Sequence, residues 1–400
     1  MIQTKEYDVI VSGAGAVGLA AVLALSQQGM RVALVDPRVP SLTVGDPERA
    51  IALSEGSRRL LDEWGVWSEI KTLGCGTIRH IEVCEAQARG RVAIHGDELQ
   101  LDAMGYVVEM AHVLTPMWQK VQDCADVFCP AIISQRQVED DATVLTVLKG
   151  DEQRQLRARL LVVADGGGSP LRRMAGIGTY GWSHNRFAIV ASILTAVPHH
   201  DTAYECFRND GPLALLPMAD GRLSLVWAVP PDEAMFLLEC TDDVFLGALT
   251  QAIQGTPAMA LGAMQACGKR GSFPLELRLA KRLTGARLVL AGNAAHTIHP
   301  VAGQGLNLGL RDVCTLSNVL NSSIGRDDPG HTVLLQQYAS AQQLDVCAVS
   351  GFTEGLLSAF ASQSVLAQQL RAALMFTVQP NSPWKRWFLR HAAGVAKGEG

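Results

Sequence analysis

Residues 288–312 read LVLAGNAAHTIHPVAGQGLNLGLRD. The apolar run at 287–291 has the length of a short buried strand, a glycine-rich turn follows it, and a helix opens near Gly305. Gly292, Gly303 and Gly305 let the backbone approach a ligand closely and adopt dihedrals that a side chain forbids. A helix that opens on unpaired N–H groups presents positive potential, which suits a phosphate or an anionic ring. Asn293, Gln304 and Asn307 can read hydroxyls and carbonyls without bringing a fixed charge.

The same strand, glycine turn and helix stand at the other end of the chain. An apolar strand at 7–11 leads into Gly13, Gly15 and Gly18, and a helix at 16–28 stops at Gly29. A strand at 31–35 follows and ends in Asp36. This is the dinucleotide fingerprint in its required context. The first glycine makes the turn, the second admits pyrophosphate, the third lets helix pack on strand, and the acid about 20 residues on takes ribose hydroxyls. Alone it does not separate FAD from NAD. A third bend lies at 164–172, ADGGGSPLR, where an apolar strand ends in Asp165-Gly166 and a short helix starts at Pro170. Asp-Gly turns are common, so this one draws its meaning from the two motifs that flank it.

The fourteen residues from His299 to Asp312, HPVAGQGLNLGLRD, resemble the signature of the ubiquinone-biosynthesis flavin hydroxylases, relatives of para-hydroxybenzoate hydroxylase. The Asp165 turn resembles the family's second flavin motif. Segments 210–227, DGPLALLPMADGRLSLVW, and 268–275, GKRGSFPL, are most similar to the 2-polyprenyl-6-methoxyphenol hydroxylase branch. The resemblance covers most of residues 5–320. It implies an α/β fold: a Rossmann-type FAD-binding domain, an inserted antiparallel β-sheet substrate domain and a helical C-terminal segment. It also implies FAD as cofactor, held by Gly13, Gly15, Gly18, Asp36, Arg49, Asp165, Gly166, Asn293, Gly303, Gln304, Gly305 and Asn307. Arg38 is a weaker counterpart of Arg49. Asn293 stands where most relatives carry aspartate. Residues 109–112, EMAH, lack the glutamine or arginine that relatives extend to the pyrophosphate.

Four hundred residues favour two lobes. The expected division is an FAD-binding part at 1–180, a substrate domain at 181–285, the second FAD-binding part at 286–330 and a helical segment at 331–400, with 76–104 lent to the substrate sheet. Hydrophobic residues make up 48% and charged residues only 18%, below the usual quarter, which points to a greasy surface or large buried interfaces. A net charge of −5, from 34 basic and 39 acidic residues, leaves no electrostatic footprint for nucleic acid. The nine cysteines are scattered without CxxC pairs and read as free thiols of a reducing compartment, with no metal site. The apolar run at 9–25 contains three glycines and follows Glu6 and Asp8, so it is read neither as a signal peptide nor as a membrane span.

Between the motifs, Ser54 caps a helix ending at Gly65, and strands at 78–84 and 91–95 form a hairpin. Thr115-Pro116 reads as the opening of a helix running to 125. Strands are expected at 143–148, 155–163, 187–195, 204–207, 213–216, 223–229 and 273–279, with helices at 232–239 and 242–254 packed on one face of the later sheet. The tail from 331 is helical in pattern and broken at 380–383; its basic, aromatic segment 384–391, WKRWFLRH, suits either a membrane surface or a final packed helix.

The resemblance implies a monooxygenase that hydroxylates a polyprenylated phenol in ubiquinone biosynthesis through a flavin C4a-hydroperoxide, at the carbon para to the existing hydroxyl. O2 and NAD(P)H are the implied co-substrates, and the implied setting is cytoplasmic, peripheral at the inner face of the membrane and in contact with other quinone-pathway proteins. Pro300 would wall the oxygen-reactive side of the flavin ring. A phenol reacts faster as phenolate, so a proton acceptor is desirable, and His299 and His296 are the candidates nearest in sequence. Three alternatives stay open: hydroxylation at another ring carbon, a flavin dehydrogenase or oxidase on the same cofactor lobe, and a flavin-bearing assembly subunit.

Overall fold

The apolar runs at 9–11, 160–163 and 288–290 show no alternation, and all ten residues are fully buried. Strands covered on both faces have this composition, the mark of a parallel sheet. The computed structural model describes residues 4–44, 50–85, 91–99, 101–208 and 210–361. In it the strands run side by side and parallel in the order Leu288–Leu290, Glu152–Val163, Thr4–Ser12, Val32–Val35, Asp126–Phe128. An antiparallel arm, Ile132–Val138 and Thr143–Lys149, extends from the long strand Glu152–Val163. The helix Ala16–Gln27 is buried along nearly its whole first two turns and beyond, which its alanine and leucine content permits. Gly29, with φ +81°, ends it in the left-handed conformation that glycine adopts without penalty.

The second sheet has nine strands, in the order His296–Thr297, Gly271–Ala280, Thr179–Thr195, Leu223–Val229, Leu213–Pro217, Thr202–Phe207, His80–Glu85, Arg91–His95, with Met264–Cys267 paired to Thr179–Thr195. It is antiparallel except where Thr202–Phe207 lies parallel to His80–Glu85. That pair joins strands more than a hundred residues apart, so no hairpin constrains their direction. Helices Pro231–Glu239 and Asp242–Ala252 cover one face, where Leu237, Phe245 and Leu249 pack on Ile189, Leu213 and Trp227. Acidic residues fill the first turn of each helix, as the helix dipole favours. On the opposite face Phe207 packs against Val301 and Phe360, and Ala203 against Met104 and Val107.

A three-stranded sheet, Ala50–Ser54, Gly105–Glu109 and Cys75–Ile78, bridges the two. Ser54 caps the helix Glu55–Glu63 by accepting the Ser57 N–H at 3.2 Å.

Thr115 is no helix cap. The helix spans Met110–Cys124, Pro116 lies inside it, and the Thr115 hydroxyl donates back to the Ala111 carbonyl at 2.8 Å. Burial of Ala111, Val113, Leu114, Met117 and Trp118 stabilises the early turns and outweighs the hydrogen bond that proline removes. The long helix Thr332–Ala361 follows the second cofactor segment and lies along the helix Gln304–Leu320, with Arg311 and Asp345 paired at 2.7 Å. The helix break expected at 380–383 and the segment 384–391 lie outside the described residues. Among the described residues no helix is long and apolar enough to cross a membrane.

Candidate functional site

Gly13 has φ +116°, and a Cβ there would sit 2.3 Å from the Ala164 carbonyl oxygen. A Cβ on Gly18 would sit 1.8 Å from the Gly13 oxygen. These two glycines therefore make the turn and seat the helix against it. Gly15 differs. Its backbone is ordinary (φ −77°, ψ 173°), and no atom of the described residues lies within 4 Å of where its Cβ would be. Nothing among the described residues requires a glycine there, and the open space is a cradle at the start of a helix that has neither a side-chain cap nor an acidic first turn. Asp36 closes this corner, accepting the Ala14 N–H and the Arg38 N–H at 2.7 Å each.

The second bend packs directly on the first, since Gly13 abuts Ala164 and Asp165. The Asp165 carboxylate accepts the Leu171 N–H through Oδ2 at 3.4 Å, while Oδ1 is buried with no partner among the described residues. Burial pushes its pKa up, against the opposing pull of hydrogen bonds and of Arg172. A buried oxygen without a partner is costly unless a ligand hydroxyl supplies one. Gly166, at φ +91°, turns the chain there.

Arg172 closes the sequence motif and joins the second bend to the third. Only 4% exposed, it donates to the Ala294 carbonyl at 2.7 Å and to the Gly167 carbonyl at 2.9 Å. Arg278, from the large sheet, donates to the same Gly167 oxygen at 2.9 Å. Gly292 (φ +58°) and Gly309 both press on Val17 of the first helix, where added Cβ atoms would lie 3.0 Å and 2.6 Å from its Cγ2. Asn293 is exposed on this turn, across from Gly167. The three bends thus converge around the start of the first helix.

Asp312 ends the signature and holds its beginning. The carboxylate is completely buried and accepts the Gly292 N–H at 2.7 Å, His296 Nε2 at 2.7 Å and the Gln342 amide from the long C-terminal helix. The sequence marked Asp312 only as the last motif letter, and no local pattern pointed to Gln342. His296 is fully buried and tied to Asp312 through Nε2, while its Nδ1 has no partner among the described residues.

Asn307 also has a different part from the one expected of it. It is 1% exposed, its Oδ1 accepts the Ser54 N–H at 2.9 Å, and its Nδ2 donates to the Ala52 and Gly303 carbonyls at 2.9 and 2.7 Å. An amide so occupied fastens the loop to the strand Ala50–Ser54 and leaves no donor for a ligand. Gly303 (φ +63°) approaches the same strand, its Cβ position 2.8 Å from Ala52 Cβ. Gln304 and Gly305 begin the helix half-buried, and a Cβ on Gly305 would meet open space. Pro300 is half-buried immediately before the turn Val301–Gly303. Arg49 lies outside the described residues.

His299 is 3% exposed, and its Nδ1 accepts the Val301 N–H at 3.2 Å, which leaves the proton on Nε2. Burial, and then the neighbouring His184 ring 5.3 Å away, push its pKa down to about 3. A histidine this reluctant to charge is a poor base, so the geometry counts against the role suggested for it. Its effect on stability has a definite sign. The unfolded chain takes up the proton first, near pH 6.5. Stability from this site is full above that pH and is lost as pH falls toward 3. His299→Gln should make the fall of unfolding free energy between pH 6.5 and 4 shallower, by up to about one proton in its slope. Urea titrations at several pH values measure this; equal slopes for the two proteins contradict it.

The FAD binding domain family matches residues 6–348. A ubiquinone hydroxylase of Rhodospirillum rubrum is 32% identical over 98% of this chain and 91% of its own. The 3-demethoxyubiquinol 3-hydroxylase of Escherichia coli is 31% identical over 98% and 99%. Among solved structures, a p-nitrophenol 4-monooxygenase from Pseudomonas putida shares the fold at a TM-score of 0.79, with 17% identity over the whole of both chains. The residues present fit such a cofactor, for the cradle at Gly15 and the orphaned Asp165 oxygen each call for a group the chain does not supply. With the family match spanning most of its length, the chain belongs to the FAD binding domain family and is an FAD-dependent monooxygenase.

Proposed function

We propose that this enzyme hydroxylates the ring of a polyprenylated phenol in ubiquinone biosynthesis, at the carbon para to the existing hydroxyl, with NAD(P)H as electron donor. The observation that carries the reading is end-to-end similarity to two quinone-ring hydroxylases, combined with an apolar sheet face turned toward the cofactor loop. On that face Phe207 stacks on Phe360 of the long helix at 4.0 Å and packs against Val301 of the loop.

FAD, when bound, supplies the activation of O2 from which one oxygen atom enters the ring. The chain's own residues hold and shield. Gly13, Gly15 and Gly18 with the first helix's free N–H groups receive the pyrophosphate, Asp36 the ribose, and Asp165 Oδ1 a hydroxyl. The start of the helix Gln304–Leu320, which lacks a capping side chain and an acidic first turn, sets positive potential where the ring gathers electrons. Pro300 and Val301 wall the ring, and Phe207 and Phe360 keep water from it. A greasy substrate and the low charge content fit work at a membrane surface beside other quinone-pathway proteins.

The name of the Escherichia coli relative favours a second reading, hydroxylation at a different carbon of the same ring. The deciding experiment supplies purified holoenzyme with NADH, labelled O2 and candidate prenylphenols, alongside complementation of strains lacking each ring hydroxylase. Label in a product hydroxylated at the para carbon, and rescue of the matching strain, are expected. NADH oxidation that yields only hydrogen peroxide, with no labelled product from any phenol, overturns the assignment in favour of an oxidase.

A further inference from the structure

Strand Thr202–Phe207 alternates its side chains between two environments. Tyr204 and Cys206 point into the core beneath the two covering helices, among Leu237, Phe245 and Leu249. Ala203, Glu205 and Phe207 therefore point the other way, toward the cofactor lobe. The residues on either side of Glu205 confirm that direction. Ala203 joins the cluster that includes Met104, Val107 and Ala50 of the bridging sheet, and Phe207 joins Val301 and Phe360. Glu205 lies between these two clusters, where the substrate sheet, the cofactor loop and the long helix meet.

The residues directly beside it on its own face are apolar. Across the strand pairings it stands beside Val83 on one side and Ala214 on the other, and along its own strand beside Ala203 and Phe207 on the same face. Glu205 is half-buried: the packing around it desolvates the carboxyl, while its oxygens keep some access to the space between the two clusters. A carboxyl desolvated by apolar neighbours holds its proton more tightly than one in water, which suits it to exchange a proton near neutral pH. We propose that Glu205 is the catalytic base of the hydroxylation, taking the proton of the substrate phenol as the ring is presented to the cofactor. This rests on the function proposed above. The phenolic O–H bond breaks, the proton passes to a Glu205 oxygen, and the bonding pair stays on the ring oxygen, which enriches the ring carbons that accept the entering oxygen atom. The proton then returns to the product or to solvent.

Desolvation moves the Glu205 pKa up to about 7, where a base is both available and strong enough to act near neutral pH. The other titratable groups on the elements packed around it are Glu85 on the neighbouring strand, the Cys84–Cys206 thiol pair on the opposite face of the sheet, which feels the Glu205 charge, His299 in the cofactor loop, and the His184–Glu354 pair at 3.3 Å. Of these, His299 stays neutral across the range in question.

The test compares wild-type holoenzyme with Glu205→Gln and Glu205→Asp, using 2-geranylphenol as substrate and 4-nitrophenol as a binding probe. Wild-type turnover should rise with pH through about 7. Glu205→Gln should lower product formation by ~10²-fold or more and abolish that rise, whereas Glu205→Asp keeps it at reduced rate. FAD affinity and flavin reduction by NADH should match wild type in both. Because the unfolded chain ionises Glu205 near pH 4.5 and the folded protein only near 7, stability is lost as pH rises between those values, so the glutamine variant should also melt higher than wild type at pH 8 and equally at pH 4. The ionisation midpoint of bound 4-nitrophenol should differ between wild type and Glu205→Gln by about one pH unit. Unchanged pH dependence in Glu205→Gln, failure of 4-nitrophenol to bind, or an identical midpoint overturns the proposal. Should wild type give no hydroxylated product while the midpoint still differs, the base stands and the assigned reaction falls.

Discussion

Asp312→Ala is expected to lose ~3–5 kcal/mol of folding stability and to release the flavin. The carboxylate is completely buried and accepts three donors at once, from the Gly292 backbone, His296 and Gln342. Removing it leaves all three without a partner in a site that water does not reach, and each stranded donor costs about 1–3 kcal/mol. The damage is not confined to stability. Gly292 sets the third cofactor bend, His296 begins the short strand that joins the large sheet, and Gln342 fixes the long helix. Asp312→Asn, which keeps one acceptor oxygen and the volume, should be milder in both respects. Urea unfolding followed by tryptophan fluorescence, with flavin content measured in parallel, reads the effect. A loss below about 1 kcal/mol for the alanine variant means that the network contributes little.

The second large effect separates two glycines of one motif. Gly18→Ala forces a methyl group to 1.8 Å from the Gly13 carbonyl oxygen, a backbone atom that cannot swing aside. Helix and turn must part, and the loss should fall at the upper end of single-substitution effects, ~4 kcal/mol or more. Gly15→Val meets no atom of the described residues within 4 Å of its Cβ and needs no unusual dihedral. The apoprotein should keep its stability to within about 0.5 kcal/mol. Its affinity for FAD should nonetheless drop by ~10²-fold, the scale of about 3 kcal/mol of lost charged contacts. Thermal melts of the apoproteins and fluorescence titration with FAD test the contrast. If Gly15→Val binds FAD as wild type does, the cradle holds something other than pyrophosphate.

This contrast also explains what could be read from the sequence. Glycines that turn the chain and acids at strand ends act over a few neighbouring residues, so the bends at Gly13, Asp165 and Gly292 were legible as local patterns. What a side chain faces in three dimensions was not. Asn307 sits in the cofactor signature yet bonds only to backbone, because strand Ala50–Ser54 comes to meet it from two hundred and fifty residues away. Thr115-Pro116 reads as a helix start by local rules, but burial of Met117 and Trp118 against the core carries the helix through it. Glu205 gave no signal at all. Its neighbours Val83 and Ala214 come from distant strands, and only the register of three strands isolates its carboxyl among apolar groups.

The nine-stranded sheet does not belong to one continuous stretch of chain. Strands His80–Glu85 and Arg91–His95 come from ahead of it, and His296–Thr297 is a piece of the cofactor loop laid against its edge at Arg278 and Leu279. Neither lobe can be cut out whole, and neither completes its hydrogen bonding unless the other has formed. A swing of one lobe away from the other would therefore break the pairing of His296 and Thr297 with Leu279 and Arg278.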